Sequence, residues 1–101
     1  MKFLTTGKPG RAPIPPERAV ALLQAAREWV NTQLADGRIE CHYVFPDGGG
    51  FTISNADSHE AVLDGLLEYP LYPFMSWEVK PLCDWSHSYD KYIEFWKRAS
   101  T

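Results

Sequence analysis

Apolar and polar residues change their period several times along the chain, and each change predicts an element. Residues 2–6, with Phe3, Leu4 and Thr5 ahead of Gly7, suit a short strand that feeds a turn. Residues 7–16 are dense in glycine and proline and predict a connecting loop. Val20, Leu23, Ala26, Val30 and Leu34 then recur at helical spacing, so a helix is predicted from about Pro16 to Ala35 with one apolar stripe. Proline fits its first turn, Glu17 suits the positive end of the helix dipole, and Gly37 provides a left-handed stop. From Arg38 to Phe45 the period falls to two. Ile39, Cys41, Tyr43 and Phe45 share one face of this strand, leaving Glu40, His42 and Val44 pointing away from the core.

Residues 46–50 form a turn by composition, and alternation resumes over residues 51–54, which predicts a hairpin. Asp57 and Glu60 have capping-box spacing, with Ser58 a rival cap, ahead of a second helix carrying Ala61, Val62, Leu63, Leu66 and Leu67 and ending before Pro70. Met75, Trp77 and Val79 alternate with Ser76, Glu78 and Lys80 in a final strand. Tyr89, Tyr92, Ile93 and Trp96 return to helical spacing. The economical packing of these elements is an α+β, ferredoxin-like β-α-β-β-α-β domain: a four-stranded antiparallel sheet in the order 4-1-3-2, two helices on one face, and an extra C-terminal helical tail.

At 101 residues one core is expected, with residues 1–82 as its body and 83–101 as a tail. That tail is too aromatic for a free end, so self-association is expected, by sheet contact or tail exchange; the other reading folds the tail back on its own domain. A formal charge of −3 offers no basic stripe for nucleic acid. No apolar run is long enough to cross a bilayer and no signal peptide is seen at the start, which places the chain in the cytoplasm. Cys41 and Cys83 lack metal or redox spacing and read as free thiols. Gly48, Gly49 and Gly50 lack the helix start and Lys-Ser/Thr of a phosphate loop, which disfavours a nucleotide.

The stretch LLEYPLYPFMSWEVKPL, residues 66–82, resembles the muconolactone isomerase family of the dimeric α/β-barrel group, and the helix, Gly37, strand and hairpin before it agree in order. The resemblance implies homodimers that assemble further, often into rings of ten, with pockets between sheet and helices. It also implies cofactor-free proton transfer that moves a double bond within a small lactone acid in aromatic catabolism, with no metal. Of the acidic and basic cluster that the family carries on its first helix, this chain keeps Arg27 and Glu28. After residue 82 it runs into its own aromatic segment instead of a short basic tail.

Arg27 falls near the centre of the expected apolar stripe, where a guanidinium holds the carboxylate of an anionic ligand or snorkels to solvent or to an acid such as Glu28 or Glu78. His42, with Glu40 beside it, is a general base if it is desolvated, and otherwise a surface or interface histidine. His59 and His87 lack a partner at metal-binding spacing. Glu78 and Lys80 suit a structural ion pair better than catalysis. Tyr43, Phe51, Tyr72, Phe74 and Trp77 line a ligand cavity or simply fill the core. Two functions compete: an isomerase or lyase for a small anionic cyclic acid, using Arg27 with His42 or Glu28, and a non-catalytic binding or assembly module. A third, cofactor-free oxidation of an aromatic polyketide, rests on fold analogy alone.

Overall fold

The computed structural model describes residues 1–100. Its elements are β1 (Lys2–Pro9), α1 (Pro16–Ala35), β2 (Ile39–Val44), β3 (Gly50–Asn55), α2 (His59–Leu67), a 3₁₀ turn (Tyr72–Phe74), β4 (Met75–Leu82) and α3 (Trp85–Ala99). The four strands are antiparallel in the order β2-β3-β1-β4, as the crossover rule requires.

Local chemistry sets the boundaries. Gly37, at φ +77°, ends α1; its N–H donates to the Leu34 carbonyl and that of Arg38 to the Gln33 carbonyl, the paired bonds of a Schellman stop. Ser58, rather than Asp57, caps α2, its hydroxyl accepting from the Ala61 N–H at 3.1 Å. Asp84 caps α3 through the His87 N–H at 3.0 Å, which starts that helix four residues ahead of the expected Tyr89. The turn between β2 and β3 holds Gly48 and Gly49 at positive φ, and a Cβ on Gly49 would stand 2.1 Å from the Gly7 carbonyl oxygen.

β1 departs from expectation by continuing through Gly7 and Lys8 to Pro9. Beyond Gly7 it pairs with β4 alone, so Pro9 sits on an edge where its missing N–H costs little. Gly7 is needed inside the sheet because a Cβ there would lie 2.6 Å from the Trp77 ring and 2.9 Å from the Met75 methyl.

The larger correction is in β2. The register shifts between Ile39 and Cys41, so Glu40 is an extra residue and the side chains after it change faces. Strand pairing then sets three rows across the helix-covered face: Ile39, Ser54, Phe3 and Pro81; His42, Thr52, Thr5 and Val79; Val44, Gly50, Gly7 and Trp77. Phe3, Thr5 and Ile39 are buried there. Cys41 and Tyr43 turn to the uncovered face.

α1 lies on the sheet along a stripe that keeps Ala26 and Val30 of the expected one but is rotated away from Val20, Leu23 and Leu34. Ala26 and Gln33 are its buried residues, with Leu22, Trp29 and Val30 half-buried, whereas Val20 and Leu23 are 68% and 54% exposed. Trp29 drives the rotation: its ring meets Tyr69 at 5.2 Å, and small Ala26 one turn earlier lets the helix approach. α3 stands apart from this body. All of it except Ser88 is exposed, and the chain extends 65 × 29 × 24 Å with a radius of gyration of 17.3 Å, where a compact domain of this length has about 13 Å. No helix among the described residues is long and apolar enough to cross a membrane.

Candidate functional site

Two of the three residue rows explain a hollow beneath α1. The row of Val44, Gly50, Gly7 and Trp77 has no side chains at its centre, and the neighbouring row presents His42, Thr52 and Thr5. A helix laid across that floor leaves a cavity of about 340 Å³. Its walls include Trp29 and Val30 of α1, Leu66 of α2, Tyr69 and Leu71 beyond it, Met75 and Trp77 of β4, and the 48–50 glycines. An apolar chamber with few polar groups is the usual form of a small-molecule site.

His42 lines this cavity, contrary to the expectation that it faces away from the core, because the extra residue at Glu40 reverses its side. Its Nδ1 lies 3.2 Å from the Phe51 carbonyl oxygen. A carbonyl oxygen only accepts, so Nδ1 carries the proton and the neutral ring keeps its lone pair on Nε2. Glu40 pairs instead with Lys2 at the sheet edge, leaving no carboxylate beside the imidazole on its own strand face.

Tyr69 is held edge-on between Trp29 at 5.2 Å and Trp77 at 5.7 Å. Burial raises its hydroxyl pKa above the ordinary value of 10.0, so the group stays protonated and acts as a hydrogen-bond donor. Trp77 is fixed by its indole N–H, which donates to the Tyr72 carbonyl at 3.2 Å, and by the Tyr72 ring stacked at 6.1 Å.

The other candidates separate. Trp77 and Phe51 both border the cavity, although strand pairing puts the Phe51 ring on the uncovered face beside Tyr43. Tyr43 is 64% exposed on the opposite face, its ring 5.8 Å from that of Phe51. Tyr72 supports Trp77 from outside the lining, and Phe74 is half-buried elsewhere in the same turn. Arg27 and Glu28 are exposed and border no part of the hollow, because the packed stripe runs through Ala26, Trp29 and Gln33 instead of either side of Arg27. Glu78 and Lys80 form an exposed ion pair at 3.0 Å within β4. His59 packs its ring against Phe3 at 5.5 Å. Among the described residues no three potential ligands gather to hold a metal.

Sequence reasoning overlooked Trp29, Tyr69, Thr5 and Gln33. A tryptophan three residues after Ala26 was the available signal for the first of these, since the largest ring on a helix usually points inward.

No protein-family model and no curated protein sequence matches the chain. Among solved structures, muconolactone isomerase superposes with a TM-score of 0.74 at 23% identity, over 83% of this chain and 90% of the other. The 5-chloro-2-hydroxyhydroquinone dehydrochlorinase of Burkholderia phenoliruptrix, in complex with 2,5-dihydroxybenzoquinone, superposes with a TM-score of 0.67 at 18% identity, over 86% of this chain and 98% of that one. The chain therefore has the muconolactone isomerase-like fold, the one that residues 66–82 resemble.

Proposed function

We propose that this protein is a cofactor-independent isomerase-like enzyme that moves a proton within a small cyclic oxygenated substrate, a lactone or cyclic acid, bound between α1 and the sheet. The observation that carries the reading is His42: a bulge turns it into an apolar chamber, and a backbone carbonyl fixes the tautomer that leaves Nε2 free to accept a proton. In this reading Nε2 takes a proton from a ring carbon next to a carbonyl. The electron pair of that C–H bond moves into the conjugated system, and the imidazolium returns the proton at a second carbon. Nothing is oxidised or reduced. Tyr69, kept protonated by burial, donates a hydrogen bond to the oxygen on which charge develops. The two structural neighbours, named for a lactone isomerase and for a dehydrochlorinase of a hydroxylated ring, support a ring-shaped substrate.

Arg27 has no place in this chemistry as the chain is folded, and an acid group on the substrate has to be met from elsewhere. The test is solvent exchange in deuterium oxide across a panel of unsaturated five-membered lactone acids and hydroxylated quinones. Deuterium should enter carbon-bound positions of at least one compound with the wild-type chain and at least a hundredfold more slowly with His42→Gln. No exchange with any compound, or equal exchange by the variant, contradicts the reading.

The second reading, a non-catalytic assembly module, is favoured by α3. Trp85, Tyr89, Tyr92, Ile93 and Trp96 follow helical spacing and are all more than half exposed. Copies of this chain are the proposed partner for that face. Assembly and catalysis are compatible, and binding without exchange would leave the module alone.

A further inference from the structure

One wall of the chamber beneath α1 is already set for a flat guest. Trp77 ends the row of Val44, Gly50 and Gly7, and its ring lies over Gly7, where a Cβ would stand 2.6 Å from it. The Met75 methyl reaches the same glycine, 2.9 Å from that Cβ position. Three contacts hold the indole there. Its N–H donates to the Tyr72 carbonyl at 3.2 Å, the Tyr72 ring runs nearly parallel to it at 12°, and the Tyr69 ring meets it edge-on at 5.7 Å. Tyr72 is not part of the lining, so it braces the indole from outside. Trp77 is nevertheless only half-buried and borders the cavity. The two glycines of its row carry no side chain that would cover it.

A π face held in place beside open space favours one kind of ring. Aromatic pairs in offset-stacked or edge-to-face contact gain more than their area burial, whereas a puckered saturated ring carries axial hydrogens on both faces that hold it away from the indole. Because Trp77 is already ordered, little side-chain freedom is lost when a guest lies against it. His42 and Trp77 stand on the two outer strands, β2 and β4, three strand spacings or about 14 Å apart across the sheet. Both lean inward. The imidazole reaches the Phe51 carbonyl on β3, and the indole reaches over Gly7 on β1. We propose that Trp77 is the specificity-determining residue of the chamber, a platform against which a planar, conjugated ring lies while its edge meets His42. This rests on the chamber being a ligand site, and it narrows the cyclic substrate to a flat, unsaturated one. Trp77 positions the ring and takes no part in proton transfer, and Tyr72 acts through it.

Phenol and cyclohexanol serve as probes, since each is a six-membered ring with one hydroxyl and only phenol is flat. The full chain is titrated with each by NMR, following the His42 ring and the Trp77 ring protons, the latter assigned with Trp77→Leu. Phenol should bind roughly fivefold more tightly than cyclohexanol, the size of a stacking contact written as a ratio. Its ring protons should also show cross-relaxation with those of Trp77. Trp77→Leu should cut the preference to about twofold or less while phenol still shifts His42. If cyclohexanol binds as well as phenol or better, if bound phenol shows no contact with Trp77, or if the folded variant keeps the preference, the platform is refuted and the chamber stands. If neither probe shifts His42, the chamber reading fails and the platform falls with it. The cross-relaxation is read on the wild-type chain, so a variant that fails to fold leaves the test intact.

Discussion

The body of the domain and its C-terminal helix are incomplete in opposite ways. Beneath α1, an apolar hollow lies open between helix and sheet, and the indole N–H of Trp29 beside it is buried without a partner among the described residues. On α3, apolar groups of Trp85, Tyr89, Tyr92, Ile93 and Trp96 are in water without a surface to cover them. A hollow between helix and sheet suits a small molecule, whereas an exterior short of apolar contacts suits a protein surface. The proposed ligand site and the proposed assembly face thus lie in different parts of the chain. The two should respond independently to mutation.

The sharpest way to break that separation is to charge the helix face. Replacing Trp85 and Trp96 together by Glu should weaken self-association at least about a hundredfold, read by sedimentation over a concentration series, since each buried ring is worth about 2–3 kcal/mol. The body should keep its fold in dilute solution, because α3 is exposed almost throughout. A monomeric wild-type chain, or a body that unfolds with the double variant, would join what is separated here.

Next in size is the floor of the chamber. Gly7→Leu should cost about 1–3 kcal/mol in urea unfolding, because the new Cβ meets the Trp77 ring at 2.6 Å and the surroundings must yield. The same variant should abolish binding in the chamber and leave self-association unchanged.

Tyr69 gives a pH signature that belongs to the body alone. Burial raises its pKa in the folded state above 10.0, so below about pH 10 both states hold the proton and stability is unaffected. As pH rises past that point the unfolded state ionises first, and stability falls until the folded hydroxyl ionises too. Tyr69→Phe should remove this alkaline loss, read as urea midpoints from about pH 8 to pH 11. An identical decline in the variant would assign the loss to other groups.

The smallest effect expected is that of Arg27→Ala. Ligand affinity should stay within about twofold, since the side chain is exposed and outside the hollow. A large loss would show that a neighbouring copy folds Arg27 into the site.

Much of this was legible in the sequence, and the failures share a cause. The helix over Pro16–Ala35, the hairpin, the strand at Met75–Leu82 and the strand order all follow from period, caps and crossover handedness. Those signals are local, or are rules of connection. What could not be read was phase. One extra residue at Glu40 reverses every later side chain of β2, and that changed His42 from an outward residue into the principal candidate of the site. Likewise, a modest rotation of α1 about its axis moved Arg27 out of contact and Gln33 in. A bulge and a helix rotation are decided by packing between segments distant in sequence, which a reading along the chain does not weigh. Gln33 escaped notice for a simpler reason: a polar residue on a helix is expected to be outside.

The most direct test of the whole account is a crystal structure of the full chain grown with 2,5-dihydroxybenzoquinone. The ring should lie in the chamber against Trp77 and Met75, within hydrogen-bond distance of His42, with α3 packed on a neighbouring copy. A chamber filled by side chains of α3 or of a neighbouring copy, with the ring bound elsewhere, would contradict this.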